Sequence, residues 1–292
     1  MTWIANSYGK INLGLHVLER LSTGYHVIET GFCFIEWSDR FEIKPSSEYK
    51  LAMSEKSIPI DEKNLITKAY RAFETYVGLK NQYHINVIKN IPAGAGLGGG
   101  SSNAALTIRM LNKMENAGLS DTDLVDISRD LGADIPFFIY GTPGFGSGLG
   151  QDIEPMDIQP NAWIVSVYPG FESSTAEAYK NCEPNPNPDF SLKNVLLEEE
   201  MDQWQVLLQN DLEPPVIARN ELIGNIKDQM IDIGALYAAM SGSGSTVFGI
   251  FEQDFVAIQA YESFHKLGFL SNLTRPGFKP DNGIYRSEKS EK

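Results

Sequence analysis

Pro92-Ala-Gly-Ala-Gly-Leu-Gly-Gly-Gly-Ser-Ser-Asn-Ala-Ala105 is the stretch from which the rest of the chain is read. Gly94, Gly96, Gly98, Gly99 and Gly100 run directly into Ser101-Ser102 and an alanine-rich apolar segment. Upstream, Tyr83-His-Ile-Asn-Val-Ile88 alternates and is β-branched, which predicts a strand. Downstream, Ala104, Ala105, Ile108, Leu111 and Met114 recur at helical spacing, with Ser101 or Ser102 as the expected cap. The order is strand, glycine loop, helix start. A helix start exposes unpaired N–H groups and the positive end of the helix dipole. Glycines let that backbone approach an anion with no Cβ in the way. The stretch reads as a phosphate cradle.

Two familiar cradles are excluded. A P-loop closes its glycines with Gly-Lys-Ser/Thr, whereas here they end in Ser101-Ser102-Asn103. A dinucleotide fingerprint needs an acidic residue closing a second strand about 20 residues on. Asp121 and Asp123 stand instead in a polar turn, Leu119-Ser-Asp-Thr-Asp. A flexible linker is the plain alternative, but linkers do not run from a strand into a capped helix.

The chain has 292 residues, enough for two domains, and is 42% hydrophobic and 21% charged, as expected of an ordinary globule. A net charge of −14 disfavours nucleic-acid backbone and anionic membranes, so neither is an expected partner. Cys33 lies in an apolar run and Cys182 in a polar, proline-rich loop, giving no disulfide framework. His16, His26, His84 and His265 form no metal-ligand spacing. No signal-peptide pattern and no run of membrane-spanning length is apparent, so a cytoplasmic protein is expected.

Residues 1–18 read as two short strands about a Ser7-Tyr8-Gly9 bend, with Lys10 and Asn12 on one strand face. By spacing alone such a lysine is a solvated one. Val27 to Pro45 reads as two strands parted at Trp37-Ser-Asp39. Asn64–Tyr76 is a helix stopped by Gly78, and a further helix runs from a Ser120 or Asp121 cap to Gly132. Asp134, two residues before Pro136, has the look of a helix cap. Gly141–Gly150 reads as a hairpin or a crossover between halves, Ala162–Tyr168 as a strand, and Ser174–Tyr179 as the start of a short helix. An acidic helical stretch surrounds Glu198-Glu-Glu200. Gly234–Phe251 places a Gly/Ser nest between apolar segments, Phe255–Leu267 is an amphipathic helix, and Ser287–Lys292 a polar tail that frays. Helices and strands mix without strict βαβ alternation, so the class is α+β.

Three separated segments, Ser7-Tyr-Gly-Lys-Ile-Asn-Leu13, the stretch from Pro92 to Ala105, and Ser241-Gly-Ser-Gly-Ser-Thr-Val-Phe-Gly249, resemble in order the three motifs of the GHMP small-molecule kinases. Three glycines followed by Ser-Ser-Asn-Ala-Ala, together with Gly24-Tyr-His26 and Gly132-Ala-Asp-Ile-Pro136, are similar to a member acting on a cytidine diphosphate-linked polyol. The resemblance implies a two-domain GHMP kinase fold. Its N-terminal domain (1–155) would be like the second domain of ribosomal protein S5, and its C-terminal domain (156–292) a ferredoxin-like α/β sandwich. It also implies ATP with Mg²⁺, for which it assigns no ligands, a small-molecule substrate, and a monomer or homodimer. Lys10 and Asp134 fall on the family's catalytic pair, Asp134 as general base and Lys10 as its electrostatic partner, with Asn12 orienting one of them. The loop Pro92, Ala93, Gly94, Ala95, Gly96, Leu97, Gly98, Gly99, Gly100, Ser101 and Ser102 would hold the ATP phosphates through its N–H groups, proline excepted. Hydroxyls of Ser101 and Ser102 would add contacts to phosphate or Mg²⁺. Tyr25 and His26 are implied for cytosine, with Thr175 and Tyr179 in the opposite wall. Gly150-Gln151-Asp152 departs from the family, where Gly-Glu is common. The same fold could serve a non-catalytic nucleotide sensor, but retention of both Lys10 and Asp134 argues against one.

Overall fold

Alternation of apolar and polar residues through the first 46 positions forms a long antiparallel hairpin, β1 (Trp3–Arg20) and β2 (His26–Ser46), in a computed structural model that describes residues 1–287. The expected breaks inside each strand do not occur. A shift of register between Tyr8 and Lys10 takes up the Gly9 bend without ending the ladder, and Ser38 and Asp39 stay paired with Tyr8 and Ser7. Next come β3 (Lys50–Met53), α1 (Leu65–Val77), β4 (Gln82–Ile88), α2 (Gly99–Glu115), α3 (Asp121–Ser128), α4 (Ile135–Tyr140) and the hairpin β5 (Gly144–Ser147)–β6 (Asp152–Pro155). These strands form one sheet in the order β11-β1-β2-β4-β3, with β5 on β2 and β6 on β5; its β11 (Tyr285–Arg286) comes last in the chain.

The second half runs β7 (Trp163–Tyr168), α5 (Thr175–Lys180), α6 (Leu192–Glu198), α7 (Trp204–Leu207), α8 (Glu213–Ile217), α9 (Glu221–Ile233), β8 (Tyr237–Met240), β9 (Val247–Phe251), α10 (Asp254–Lys266) and β10 (Leu270–Thr274). Its antiparallel sheet has the order β10-β7-β9-β8. That is the strand order of a ferredoxin-like βαββαβ unit. The stretch 276–287 then returns to the first sheet, where Trp3 and Ile4 pair with Arg286 and Tyr285. The segment 288–292 of the polar tail lies outside the described residues.

Local chemistry sets the helix ends. Asn64 accepts from Ile66 N–H to start α1, and Gly78 at φ +76° ends it. Ser120 and Asp123 close a reciprocal capping box on α3. The expected serine cap of α2 is absent: Gly98 occupies that position with φ +65° and offers no side-chain bond. The acidic stretch is helical only to Glu198.

Apolar residues line both faces of the first sheet. Phe73, Ile108 and Phe137 of α1, α2 and α4 pack with Phe41 and Ile85 on one side. Ile11, Leu13 and Ile35 meet Ile164, Tyr237 and Phe248 of the second sheet on the other. Each such fully buried side chain contributes about 1.5–3 kcal/mol. With both faces covered, β1 is buried continuously from Gly9 to Val17, so its polar residues have no solvated face.

Candidate active site

Lys10 is 4% exposed, against the solvated lysine that alternation predicts. An ammonium so placed must satisfy its donors internally. Lys10 Nζ donates to Asn12 Oδ1 at 2.6 Å and to Gly96 O at 3.0 Å, and stands 3.5 Å from Asp134 Oδ2. Asn12 is fixed in turn: its Nδ2 donates to Thr30 Oγ1 at 2.9 Å, and Thr30 donates to Gly14 O at 2.7 Å. Asp134 holds the cap position of α4, yet its side chain accepts no bond from that helix. Its carboxylate is one-third exposed while the lysine side chain is buried, so the carboxylate is the more open half of the pair.

The glycine loop lies beside this pair. Lys10 N–H donates to Leu97 O at 3.0 Å and Thr246 N–H to Ala95 O at 3.1 Å, so the loop is held from both sheets. Ser241 Oγ donates to Gly96 O at 2.9 Å. Gly96 has φ +77°, and a Cβ there would run into Ser241 O. The first bond along α2 is Ser102 N–H to Gly98 O, 2.8 Å, which leaves the N–H groups of Gly99, Gly100 and Ser101 ahead of the helical ladder.

Two cavities meet at this loop. One, of about 840 Å³, is lined by Lys10, Asn12, Asp134, Tyr25, His26, Thr175 and Tyr179. The other, of about 760 Å³, takes every expected phosphate-loop residue from Pro92 to Ser101, together with Asn64 and Lys89. Gly94, Gly96, Gly98 and Thr175 border both.

Ser102 requires a correction. Its hydroxyl turns inward to Ser7 Oγ (2.6 Å) and Tyr8 O (2.7 Å), and with its N–H also engaged it has nothing to offer a phosphate. Ser101 keeps its place in the cavity wall, its Oγ 3.8 Å from where a Cβ on Gly132 would stand.

At the far end of the larger cavity Tyr25 is 65% exposed. The His26 ring stacks on Tyr179, centroids 4.9 Å apart at 26°. Burial and then the Arg20 charge lower the His26 pKa, while burial and then the Asp134 charge raise that of Tyr179. Thr175 shares a 2.8 Å hydrogen bond with Ser243.

Residue-by-residue reading missed the support beneath the loop. Asp39, fully buried, accepts from Asn90 N–H (2.7 Å), Ile91 N–H (2.9 Å) and Lys89 Nζ (2.7 Å). Burial pulls the Lys89 pKa down, with Asp39 opposing. Cys33 is buried as expected. Cys182, expected in a polar loop, is buried too, its thiol pushed up to about 11 mainly by burial.

Among the described residues no group of three or more His, Cys, Asp or Glu could hold a metal. A single carboxylate, Asp134, with the Ser101 hydroxyl and a phosphate cradle fits Mg²⁺, which binds through one or two carboxylates plus substrate phosphates. No helix among the described residues is long and apolar enough to cross a membrane.

Two family models match the chain: GHMP kinases N terminal domain over residues 64–142, and GHMP kinases C terminal over 190–268. A 4-diphosphocytidyl-2-C-methyl-D-erythritol kinase of Prosthecochloris aestuarii is 38% identical over 94% of this chain and 96% of its own length. The enzyme of that name from Parabacteroides distasonis is 41% identical, covering 84% of this chain and 90% of its own. A crystal structure of 4-(cytidine 5'-diphospho)-2C-methyl-D-erythritol kinase superposes with a TM-score of 0.80 at 30% identity, over 94% of this chain and 100% of that one. Homoserine kinase from Cytophaga hutchinsonii shares the fold, with a TM-score of 0.72 at 17% identity over 97% of each chain.

Proposed function

The chain belongs to the GHMP kinase family, and from that premise we propose that it transfers the γ-phosphoryl group of ATP to the 2-hydroxyl of 4-diphosphocytidyl-2-C-methyl-D-erythritol, a step of non-mevalonate isoprenoid precursor synthesis. The observation that carries the reading is the Lys10–Asp134 pair, 3.5 Å apart, beside a glycine loop that borders two cavities. ATP phosphates lie on the N–H groups of the loop from Ala93 to Ser101, and the acceptor alcohol enters the cavity that holds Asp134.

Phosphoryl transfer asks the protein for positioning and charge stabilisation. The alcohol oxygen forms the new P–O bond as the bond to the β-phosphate bridging oxygen breaks, and ADP leaves with that electron pair. Asp134 accepts the alcohol proton. Lys10 stabilises negative charge at the transferring group, and Asn12 holds its ammonium in place. When bound, Mg²⁺ would neutralise charge on the phosphates, and Asp134 and Ser101 are the side chains whose oxygens would hold it. Tyr25, His26, Thr175 and Tyr179 receive the cytidine end. Residues 1–155 form the phosphate-binding and catalytic unit and the described residues from 156 onward the second unit, apart from the strand that returns to the first sheet.

The test is ADP release from ATP and Mg²⁺ with the cytidylyl substrate, mevalonate or homoserine as acceptor, for wild type and Asp134→Asn. Turnover confined to the cytidylyl substrate and lost in a folded Asp134→Asn protein is the expected result. Turnover with mevalonate or homoserine would replace the substrate assignment, and an active Asp134→Asn would remove the base.

A further inference from the structure

Arg20 belongs to none of the motifs above, yet it touches both walls of the cavity's far end. It is the last residue of β1 and pairs in register with His26, the first residue of β2. The turn between them is closed by Leu21 N–H to Tyr25 O at 2.8 Å. Arg20 Nε donates to His26 Nε2 at 3.0 Å, and its Nη2 donates to Tyr179 O at 3.1 Å and Lys180 O at 3.2 Å. Those carbonyls lie in the last turn of α5, where the helical ladder runs out, and Tyr179 O accepts from Cys182 N–H at 3.3 Å as well. One guanidinium therefore joins the hairpin bearing Tyr25 and His26 to the helix bearing Tyr179.

A guanidinium has donors and no acceptor. The ring nitrogen facing it must present a lone pair, so the proton of neutral His26 sits on Nδ1. An imidazolium, with donors at both nitrogens, could not keep this bond.

We propose that Arg20 is a positioning residue for the pyrimidine site: its hydrogen bond fixes His26 as the neutral Nδ1–H tautomer, and its hold on the end of α5 sets Tyr179 against the ring. His26 then has one donor, at Nδ1, for an acceptor atom of a bound pyrimidine. The lowered proton affinity of His26 agrees with a ring held neutral. The ligand rests on the substrate reading above, whereas the tautomer can be measured in the free protein.

The experiment is long-range nitrogen–proton NMR of ¹⁵N-histidine-labelled protein, with His26 assigned by His26→Gln among four histidines, alongside steady-state kinetics of Arg20→Met and Arg20→Lys. The wild type should show the Nδ1–H tautomer at neutral pH. Arg20→Met should lose it and raise KM for the cytidylyl substrate about tenfold, with kcat and KM for ATP changed less than about twofold. Arg20→Lys, which keeps one donor, should restore part of both. An Nε2–H or doubly protonated His26 in the wild type would overturn the proposal. So would an Arg20→Met protein whose losses fall equally on ATP and on the cytidylyl substrate. Failure of the wild type to turn over the substrate would refute the substrate reading and the pyrimidine role with it, while the tautomer signal would still decide the hold of Arg20 on His26.

Discussion

Asp134 precedes a proline-containing helix, where a short carboxylate ordinarily accepts a bond from the first turn, yet it faces Lys10 instead. Asp134→Asn should lower kcat by about 10²–10⁴, the range for a general base; single-turnover rates check it, beside a thermal melt that shows the variant is folded. Lys10→Met should lower kcat by about 10²–10³ and also cost stability, because Asn12 Oδ1 loses its 2.6 Å donor and Gly96 O keeps only Ser241 Oγ. Tyr25→Ala should raise KM for the cytidylyl substrate roughly ten- to hundredfold and spare KM for ATP, as expected for a lost stacking face. Alternation placed Lys10 and Asn12 on one strand face but could not tell that this face is also covered, by α4 through Phe32, Phe34 and Phe137 and by the glycine loop; only the motif resemblance pointed to their use. Ser102 misled for a related reason. Adjacent serines look equivalent in sequence, and the helix turn sends one hydroxyl to the cavity wall and the other into the interior. Arg20, Asp39 and Lys89 left no local signal, because each acts through partners distant in the chain or fixed by the fold.

At the level of elements, the phosphate cradle is a loop fastened at several points rather than a flexible one. Gly96→Ala should weaken ATP binding and lower the melting temperature, since the residue sits at φ +77° against the 241–244 turn, a strain of about 1–3 kcal/mol before any clash. Nucleotide titration beside a thermal melt measures both. Beneath the loop, Asp39→Ala would leave the Lys89 ammonium buried without its carboxylate and should cost about 3–5 kcal/mol in urea unfolding. The strand, loop and helix of this unit were legible from composition and period. The start of α2 was not, because a left-handed glycine performs the turn that a serine cap was expected to make.

For the whole molecule, α+β mixing follows from local patterns and the ferredoxin-like second half only from the motif resemblance, whereas the pairings that join the halves follow from neither. Among the latter is the return of the chain to its first strand. Arg109 donates to Asn282 Oδ1 and O at 3.3 and 3.1 Å, Lys113 to Ile284 O at 2.8 Å, and Phe278 packs edge-on against Tyr8. Arg109→Ala should therefore lower stability by about 1–2 kcal/mol, read by thermal or urea unfolding, and leave kcat near wild type. The returning strand also sets a timetable. On the ribosome β1 can pair with β2 within the first 46 residues, but its other edge, at Trp3 and Ile4, finds Arg286 and Tyr285 only after the entire second half has been made. Throughout that interval the nascent protein carries an open strand edge, and the Trp3 ring lacks the Arg286 guanidinium that later lies 4.7 Å from it. Chains arrested before residue 285 should accordingly associate edge to edge, so the molecule is most exposed to aggregation while it is still being synthesised.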